Sequence, residues 1–362
     1  MKGKRQMKAL LLSPGHAHFE GHLGTLQELP EVESIFVWGE DPSALEAFQQ
    51  SEERKVEGVT ADLDEILARD DVFFAIATMR TDLKPDVFIR ILESGKHLMA
   101  EKPVGRTTPD VQRIVDAAER AGMQLGVCYQ NRYNPMIREA RDLIGQGLLG
   151  PLMSIEMRML TTQVQYRNPD GWLFRHEYAG SGILAWLGCH YIDMLRYITH
   201  DEIVSVSAEV ATRSGEDIDV EDIATLSFRL RSGAVGSLHA GYTLALSGSK
   251  YPNQPSYDTY VGVNGQNGRI HWGSPGVAEQ MSVETIQGSW ASAPQREFDY
   301  TLGQSPAYGG IAGEEFIRDF IRAGQGEGAP PASGRDALQV ARIIDAALES
   351  SQTGRRVEVE QP

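Results

Sequence analysis

Only two cysteines, Cys128 and Cys189, occur in 362 residues. That is too few for a disulfide framework, and both sit in apolar segments that suit buried free thiols. Positive charge is also scarce: 34 Lys and Arg face 50 Asp and Glu, a net charge of -16. Such a balance opposes a phosphate backbone, so no nucleic-acid partner is expected. No apolar run reaches the about 18 residues that a membrane span needs, and no membrane partner is expected. The stretch Ala9–Leu12 is too short for a signal-peptide core and runs straight into Ser13-Pro14-Gly15, which predicts a cytoplasmic protein. Internal repeats and low-complexity tracts are missing too, which sets repeat architectures aside. What is present, 41% hydrophobic and 23% charged residues, is the make-up of a soluble globular chain long enough for two domains.

The first 128 residues alternate strand-like and helix-like patterns. Strands are expected at Lys8–Leu12, Ser34–Trp38, Val72–Ala77, His97–Ala100 and Gln124–Tyr129. Helices are expected at His22–Leu29, Pro42–Gln50, Leu63–Ala68, Lys84–Ser94 and Thr108–Ala121, the last with a threonine cap, a proline in its first turn and Gly122 after its end. This alternation predicts an α/β domain over 1–128, a doubly wound parallel sheet that binds ligands at the carboxyl ends of its strands. After Asn131 the pattern changes. A helix at Met136–Gly145 precedes strands at Leu152–Leu160, Ile203–Ala211, Ile223–Leu230, Ala234–Tyr242, Asp258–Val263 and Gly268–His271. Several of these alternate apolar and polar residues, as an antiparallel sheet with one covered face does. Helices are expected at Ala185–Tyr197, Glu314–Ala323 and Arg335–Ser350, and long loops at Lys250–Ser256 and Gly303–Gly310. Residues 129–362 are therefore read as a second domain of α+β type.

Four stretches carry chemistry. The turn Ser13-Pro-Gly-His-Ala-His18 stands where a dinucleotide fold places Gly-x-Gly-x-x-Gly, yet only its middle glycine, Gly15, is there. Glu40 and Asp41 close the second strand, where an acid would hold the adenosine ribose and favour NAD over NADP; the same acids would also cap the helix from Pro42. His16, His18 and His22 have a metal-ligand flavour, but the β/α alternation stops too early for a barrel hydrolase, and no metal is expected. The most informative stretch is Met99-Ala-Glu-Lys-Pro-Val-Gly105, in which Lys102, beside a proline and just after a buried strand, is aimed as a proton-handling residue. Gly180-Ser-Gly-Ile-Leu-Ala-Trp-Leu-Gly-Cys-His-Tyr-Ile-Asp193 adds His190 and Asp193, three apart and on one helical face.

Glu101-Lys102-Pro103, the preceding Gly95-Lys-His97 and the glycine-rich helix ending in His190 and Asp193 resemble the Gfo/Idh/MocA oxidoreductases over nearly the whole chain. The resemblance implies an N-terminal Rossmann domain and a C-terminal domain with a large open, mostly antiparallel sheet. It also implies hydride transfer between a nicotinamide cofactor and a sugar, glycoside or cyclitol carbon, and a homo-oligomer, dimer or tetramer, built through that sheet. By the same resemblance Lys102 and His190 are the catalytic pair. Ser13, Gly15, His16, Ala17, Glu40, Asp41, Thr78, Met79, Arg80, Glu101, Lys102, Trp172 and Arg175 face the cofactor, NAD with NADP as the alternative. Lys102, Arg132, Trp186, His190 and Asp193 face the substrate. Two departures stand out. Trp186 occupies the place of an aspartate that many members hold four residues before the histidine, and offers a flat apolar face instead. The glycine loop is degraded. Those departures leave two other readings open, a non-catalytic dinucleotide sensor on the same fold and an NAD-assisted glycosidase.

Overall fold

The computed structural model describes residues 6–252, 254–273 and 279–362. The chain divides into two units: one runs up to Tyr133 and takes back Leu302–Leu338, the other comprises Asn134–Thr301 and Gln339–Pro362.

The first unit alternates β1 (Met7–Leu12), α1 (Phe19–Glu28), β2 (Val32–Trp38), α2 (Pro42–Gln49), β3 (Val56–Thr60), α3 (Leu63–Leu67), β4 (Val72–Ala77), α4 (Lys84–Glu93), β5 (His97–Ala100), α5 (Thr108–Ala121) and β6 (Leu125–Val127). Its strands form one sheet in the order β3-β2-β1-β4-β5-β6, and every pairing is parallel. This is the order of a dinucleotide-binding sheet, with its ligand crevice where the order reverses, between β1 and β4. The central strands are almost wholly apolar because both of their faces are covered: Leu10, Leu11, Leu12, Phe74, Ala75 and Ile76 are all buried. Helix α5 is set as expected, with Thr107 accepting from the Asp110 N–H at its start and Gly122 at φ 67° beyond its end.

In the second unit α6 (Pro135–Gly145) leads to β7 (Leu152–Thr162). A short α7 (His176–Ala179) and a π-helical turn over Leu184–Gly188 precede α8 (Cys189–Thr199). Strands β8 (Ile203–Ala211), β9 (Ile223–Leu230), β10 (Val235–Leu244), β11 (Tyr257–Gly265), β12 (Gly268–Trp272), β13 (Gln280–Thr285) and β14 (Gln295–Asp299) follow. Helix α9 (Gly310–Gly324) belongs to the first unit, α10 (Gly334–Thr353) runs from the first into the second, and β15 (Val357–Glu358) ends the chain's regular structure. The nine-stranded sheet has the order β14-β13-β12-β11-β7-β10-β9-β8-β15. It is antiparallel except where β10 lies parallel to β7. Along β9, Ala224, Leu226, Phe228 and Leu230 are buried while the residues between them are not, so one face packs and the other stays open.

Several expectations are corrected. The boundary near residue 128 does not hold for the tail, because the segment 302–338 returns to the first sheet. There Val127 donates to the Ala332 carbonyl at 3.0 Å, Tyr133 donates to Asp319 at 2.5 Å, and a Cβ on Gly126 would meet Phe320 at 2.8 Å. Strand β3 was not expected: it is a half-exposed edge strand preceded by the charged run Glu52-Glu-Arg-Lys55. Strands β13 and β14 were missed because each puts only one or two apolar side chains on its covered face. Helix α1 begins at Phe19 rather than at His22. The expected loop Lys250–Ser256 includes residue 253, which lies outside the described residues. Among the described residues no helix is long and apolar enough to cross a membrane.

Candidate active site

The carboxyl ends of β1, β2, β4, β5 and β6 place Ser13, Glu40, Thr78, Glu101 and Cys128 along one edge of the first sheet. Ser13 takes a left-handed φ of 63°, a conformation glycine adopts without cost. Its hydroxyl donates to Glu40 Oε2 at 2.5 Å, a contact glycine lacks. Gly15, at φ 93°, completes the turn into α1, whose N-cap residue His18 makes no side-chain cap hydrogen bond. The first N–H groups of that helix are therefore not taken up by the cap side chain, as an anion site requires. Thr78 is buried and donates to the Leu12 carbonyl at 2.7 Å, tying the ends of β4 and β1 together. Met79 is buried, and Arg80 forms a two-point pair with Asp82 at 2.7 and 3.0 Å. Burial, then the nearby Lys84 ammonium, lowers the His16 pKa to about 3, so its imidazole is neutral.

Glu101 is the hub of this edge. It is fully buried. His22 donates from Nε2 to its Oε1 at 2.9 Å, and His18 Nδ1 lies 3.2 Å from the same oxygen. The Lys102 N–H donates to Oε2 at 3.0 Å, and the Cys128 sulfur lies 3.9 Å from His22 Nε2. Burial alone would raise the Glu101 pKa, but the two imidazoles outweigh it and hold the carboxyl well below the usual range. Burial and the Glu101 charge push the Cys128 thiol up, so it stays protonated. Lys102 is buried, and its peptide to Pro103 is cis. Lys84, also buried, donates to the carbonyls of Glu101 and Pro103 at 2.9 and 2.6 Å. Ligand atoms of His22, Glu101 and Cys128 all lie within 4.8 Å of one another, a spacing that would also admit a metal ion. The ammonium groups of Lys84 and Lys102 also act on Cys128 of this cluster, in which Glu101 is a hydrogen-bonded carboxylate.

The second unit carries its own group. The π-helical turn holds Trp186, and α8 holds His190 one turn later; both are half-buried. Inserted π turns re-aim side chains and recur at functional sites. The start of this segment is fixed by Glu221, whose carboxylate accepts from the Ser181 hydroxyl at 2.7 Å and from the N–H groups of Gly182 and Leu184 at 2.8 and 3.0 Å. A carboxylate suits a helix N-terminus both as acceptor and as charge. Gly182 is required here because a Cβ would sit 2.0 Å from the Glu221 carbonyl oxygen. Gly182→Ala is expected to cost about 1–3 kcal/mol or more by overpacking, read as a lowered thermal midpoint. Trp172 meets Trp186 edge to face, with ring centroids 6.1 Å apart at 83°. Arg175 donates to the Asp217 carbonyl at 2.7 Å and lies 3.7 Å from the Asp170 carboxylate.

Residues 14–129 match the family described as "Oxidoreductase family, NAD-binding Rossmann fold", and residues 137–271 match the "GFO/IDH/MocA C-terminal domain". The chain belongs to the Gfo/Idh/MocA oxidoreductase family. Among its relatives, a levoglucosan dehydrogenase of Pseudarthrobacter phenanthrenivorans is 27% identical over 342 residues, covering 84% of each chain. The inositol 2-dehydrogenase of Rhizobium meliloti is 25% identical over 301 residues, covering 82% of this chain and 84% of the relative. A solved levoglucosan dehydrogenase, in complex with NADH and levoglucosan, shares the fold with a TM-score of 0.83 at 22% identity, over 99% of this chain and all of that one.

Membership of the Gfo/Idh/MocA family makes the first unit an NAD-binding Rossmann domain and the protein an oxidoreductase. The turn after β1, with its two left-handed residues and a helix start whose cap side chain makes no hydrogen bond to the first N–H groups, fits the pyrophosphate of such a cofactor. Three positions expected to face ligands are engaged elsewhere. Asp41 caps α2, accepting from the Ser43 N–H at 2.9 Å. The Arg132 guanidinium meets Asp336 at 3.0 Å and the Pro331 carbonyl at 3.1 Å, which fixes the returning tail. Asp193 is buried, with Arg196 4.0 Å away. Sequence reading missed Lys84, Tyr308 and Glu221, each polar and far along the chain from the group it holds.

Proposed function

We propose that the protein oxidises a secondary alcohol of a sugar, glycoside or cyclitol, reversibly, with NAD as the partner. The observation that carries this reading is Lys102, buried at the carboxyl edge of an NAD-binding sheet beside the hydrogen-bonded carboxylate of Glu101. Names of relatives, a levoglucosan dehydrogenase and inositol dehydrogenases, support the substrate class.

When bound, the nicotinamide supplies the hydride acceptor. Ser13, Gly15, His16 and Ala17 would hold the pyrophosphate, Glu40 the ribose, and Thr78, Met79 and Arg80 the remainder of the dinucleotide. Glu101 accepts hydrogen bonds from every side and stays ionised, so it is a fixed anion rather than a general base. Proton handling is thereby left to Lys102, which stabilises the alkoxide, and to His190, which takes the hydroxyl proton. Trp186 offers an apolar surface to the C–H face of the sugar.

We further propose a homo-oligomer formed through the open face of the nine-stranded sheet, where Val235 at the start of β10 is 48% exposed. Both cysteines are free, as a reducing cytoplasm would keep them. A panel of sugars, glycosides and inositols with NAD and NADP tests the activity through the absorbance of reduced cofactor. Reduction of NAD by at least one member is expected. Release of free sugar from a glycoside without net reduction would assign a glycosidase instead, and NADH binding without turnover of any compound would assign a sensor.

A further inference from the structure

The last glycine of the dinucleotide fingerprint normally lets the first helix lie close on its strand. Here that position is His18, and one helical turn later stands His22. Both point at one carboxylate: His22 Nε2 lies 2.9 Å and His18 Nδ1 3.2 Å from Glu101 Oε1. The other oxygen of Glu101 accepts the backbone N–H of Lys102 at 3.0 Å. From behind, Tyr308 packs on both imidazoles with ring centroids 4.8 Å apart in each case. The segment bearing Tyr308 is seated on α1 by design of that helix. Gly21 and Gly24 share one face, and a Cβ on either would strike Tyr308 at 2.9 Å or the Pro306 carbonyl oxygen at 2.5 Å. The Tyr308 N–H donates to the Gly21 carbonyl at 3.0 Å and to Thr25 Oγ1 at 2.9 Å.

We propose that His18 and His22 are positioning residues that act through Glu101: clamped by Tyr308, they fix its carboxylate and with it the backbone that carries Lys102. The cluster couples the helix start that would hold the cofactor phosphates to the loop that carries the proton-handling lysine. It also explains how the chain tolerates a lost glycine: close packing at the fingerprint is replaced by a buried set of hydrogen bonds centred on Glu101. Neither histidine is a catalytic residue, since each reaches the reaction only through Glu101.

The inference rests on the dehydrogenase reading for its kinetic readout, and the experiment separates the two. His22→Leu and His22→Gln are compared with wild type, along with His18→Leu and His18→Asn. A glutamine amide nitrogen reaches about as far as imidazole Nε2, and an asparagine nitrogen about as far as Nδ1. For each variant one measures NADH affinity by fluorescence, the unfolding midpoint, and kcat and KM on a compound that wild type oxidises. The leucine variants should lose kcat by roughly one to two orders of magnitude, as misplacement of a reacting group does. Their KM and NADH affinity should stay within roughly threefold of wild type. The amide variants should recover most of the kcat. Wild-type kcat in His22→Leu would overturn the proposal. So would a kcat loss that merely follows NADH affinity and folded fraction and that the amides do not restore. If wild type binds NADH but oxidises nothing, the dehydrogenase reading fails and the positioning proposal falls with it. Binding and melting data alone then show a structural cluster.

Discussion

Lys102→Ala is expected to lower turnover by about 10²–10⁴-fold, the range over which positioned acid–base groups act. NADH affinity should change little. The side chain is buried at the strand edge, and its backbone N–H, which binds Glu101, survives the substitution. The alanine also leaves the Lys84 contacts to the Glu101 and Pro103 carbonyls in place, so the loop keeps its path. A fall in kcat with intact cofactor binding, read by steady-state kinetics and fluorescence titration, separates a proton-handling role from a structural one. An equal loss of cofactor affinity would instead make Lys102 a binding residue.

Glu101→Gln has the second-largest expected effect, and it falls on stability. Removing one partner of a buried charge network costs about 3–5 kcal/mol. The amide keeps the shape but leaves the imidazoles of His18 and His22 without their anion. The sign with pH follows from the direction of the shift. Glu101 is held well below its ordinary value of 4.5 in the folded protein. Its contribution is therefore fully present above that value and is lost as pH falls toward the folded one. Denaturant unfolding at neutral pH should show wild type well ahead of Glu101→Gln, and the gap should narrow below about pH 4.5. A gap that does not change with acidification would mean that folding does not lower the Glu101 pKa.

The readable parts of this chain were those written locally. The buried runs of β1, β4 and β5 announce a parallel sheet, and Glu101-Lys102-Pro103 follows one of them directly. The Thr107 cap and Gly122 mark the two ends of α5 directly in the sequence. Hidden parts depend on distant partners. Glu101 and His22 are 79 positions apart, and Tyr308 belongs to a segment that looks like a plain loop in sequence. Gly21 and Gly24 on one face of α1 were a signal that another piece of chain lies close, but they do not say which. Edge strands β3, β13 and β14 carry few apolar residues because a sheet edge buries little. Arg132 and Asp41 look like ligand contacts by position, and their partners within the protein, Asp336 and the Ser43 N–H, are not legible from the sequence.

The central claim is net hydride transfer from a carbinol carbon to the cofactor. The most direct measurement uses an oxidisable sugar or cyclitol deuterated at that carbon, with mass analysis of the nicotinamide product. The account predicts deuterium in the reduced cofactor, in step with the ketone formed, and its near-complete loss in Lys102→Ala. Unlabelled cofactor, or turnover of the sugar with no reduced cofactor at all, would contradict it.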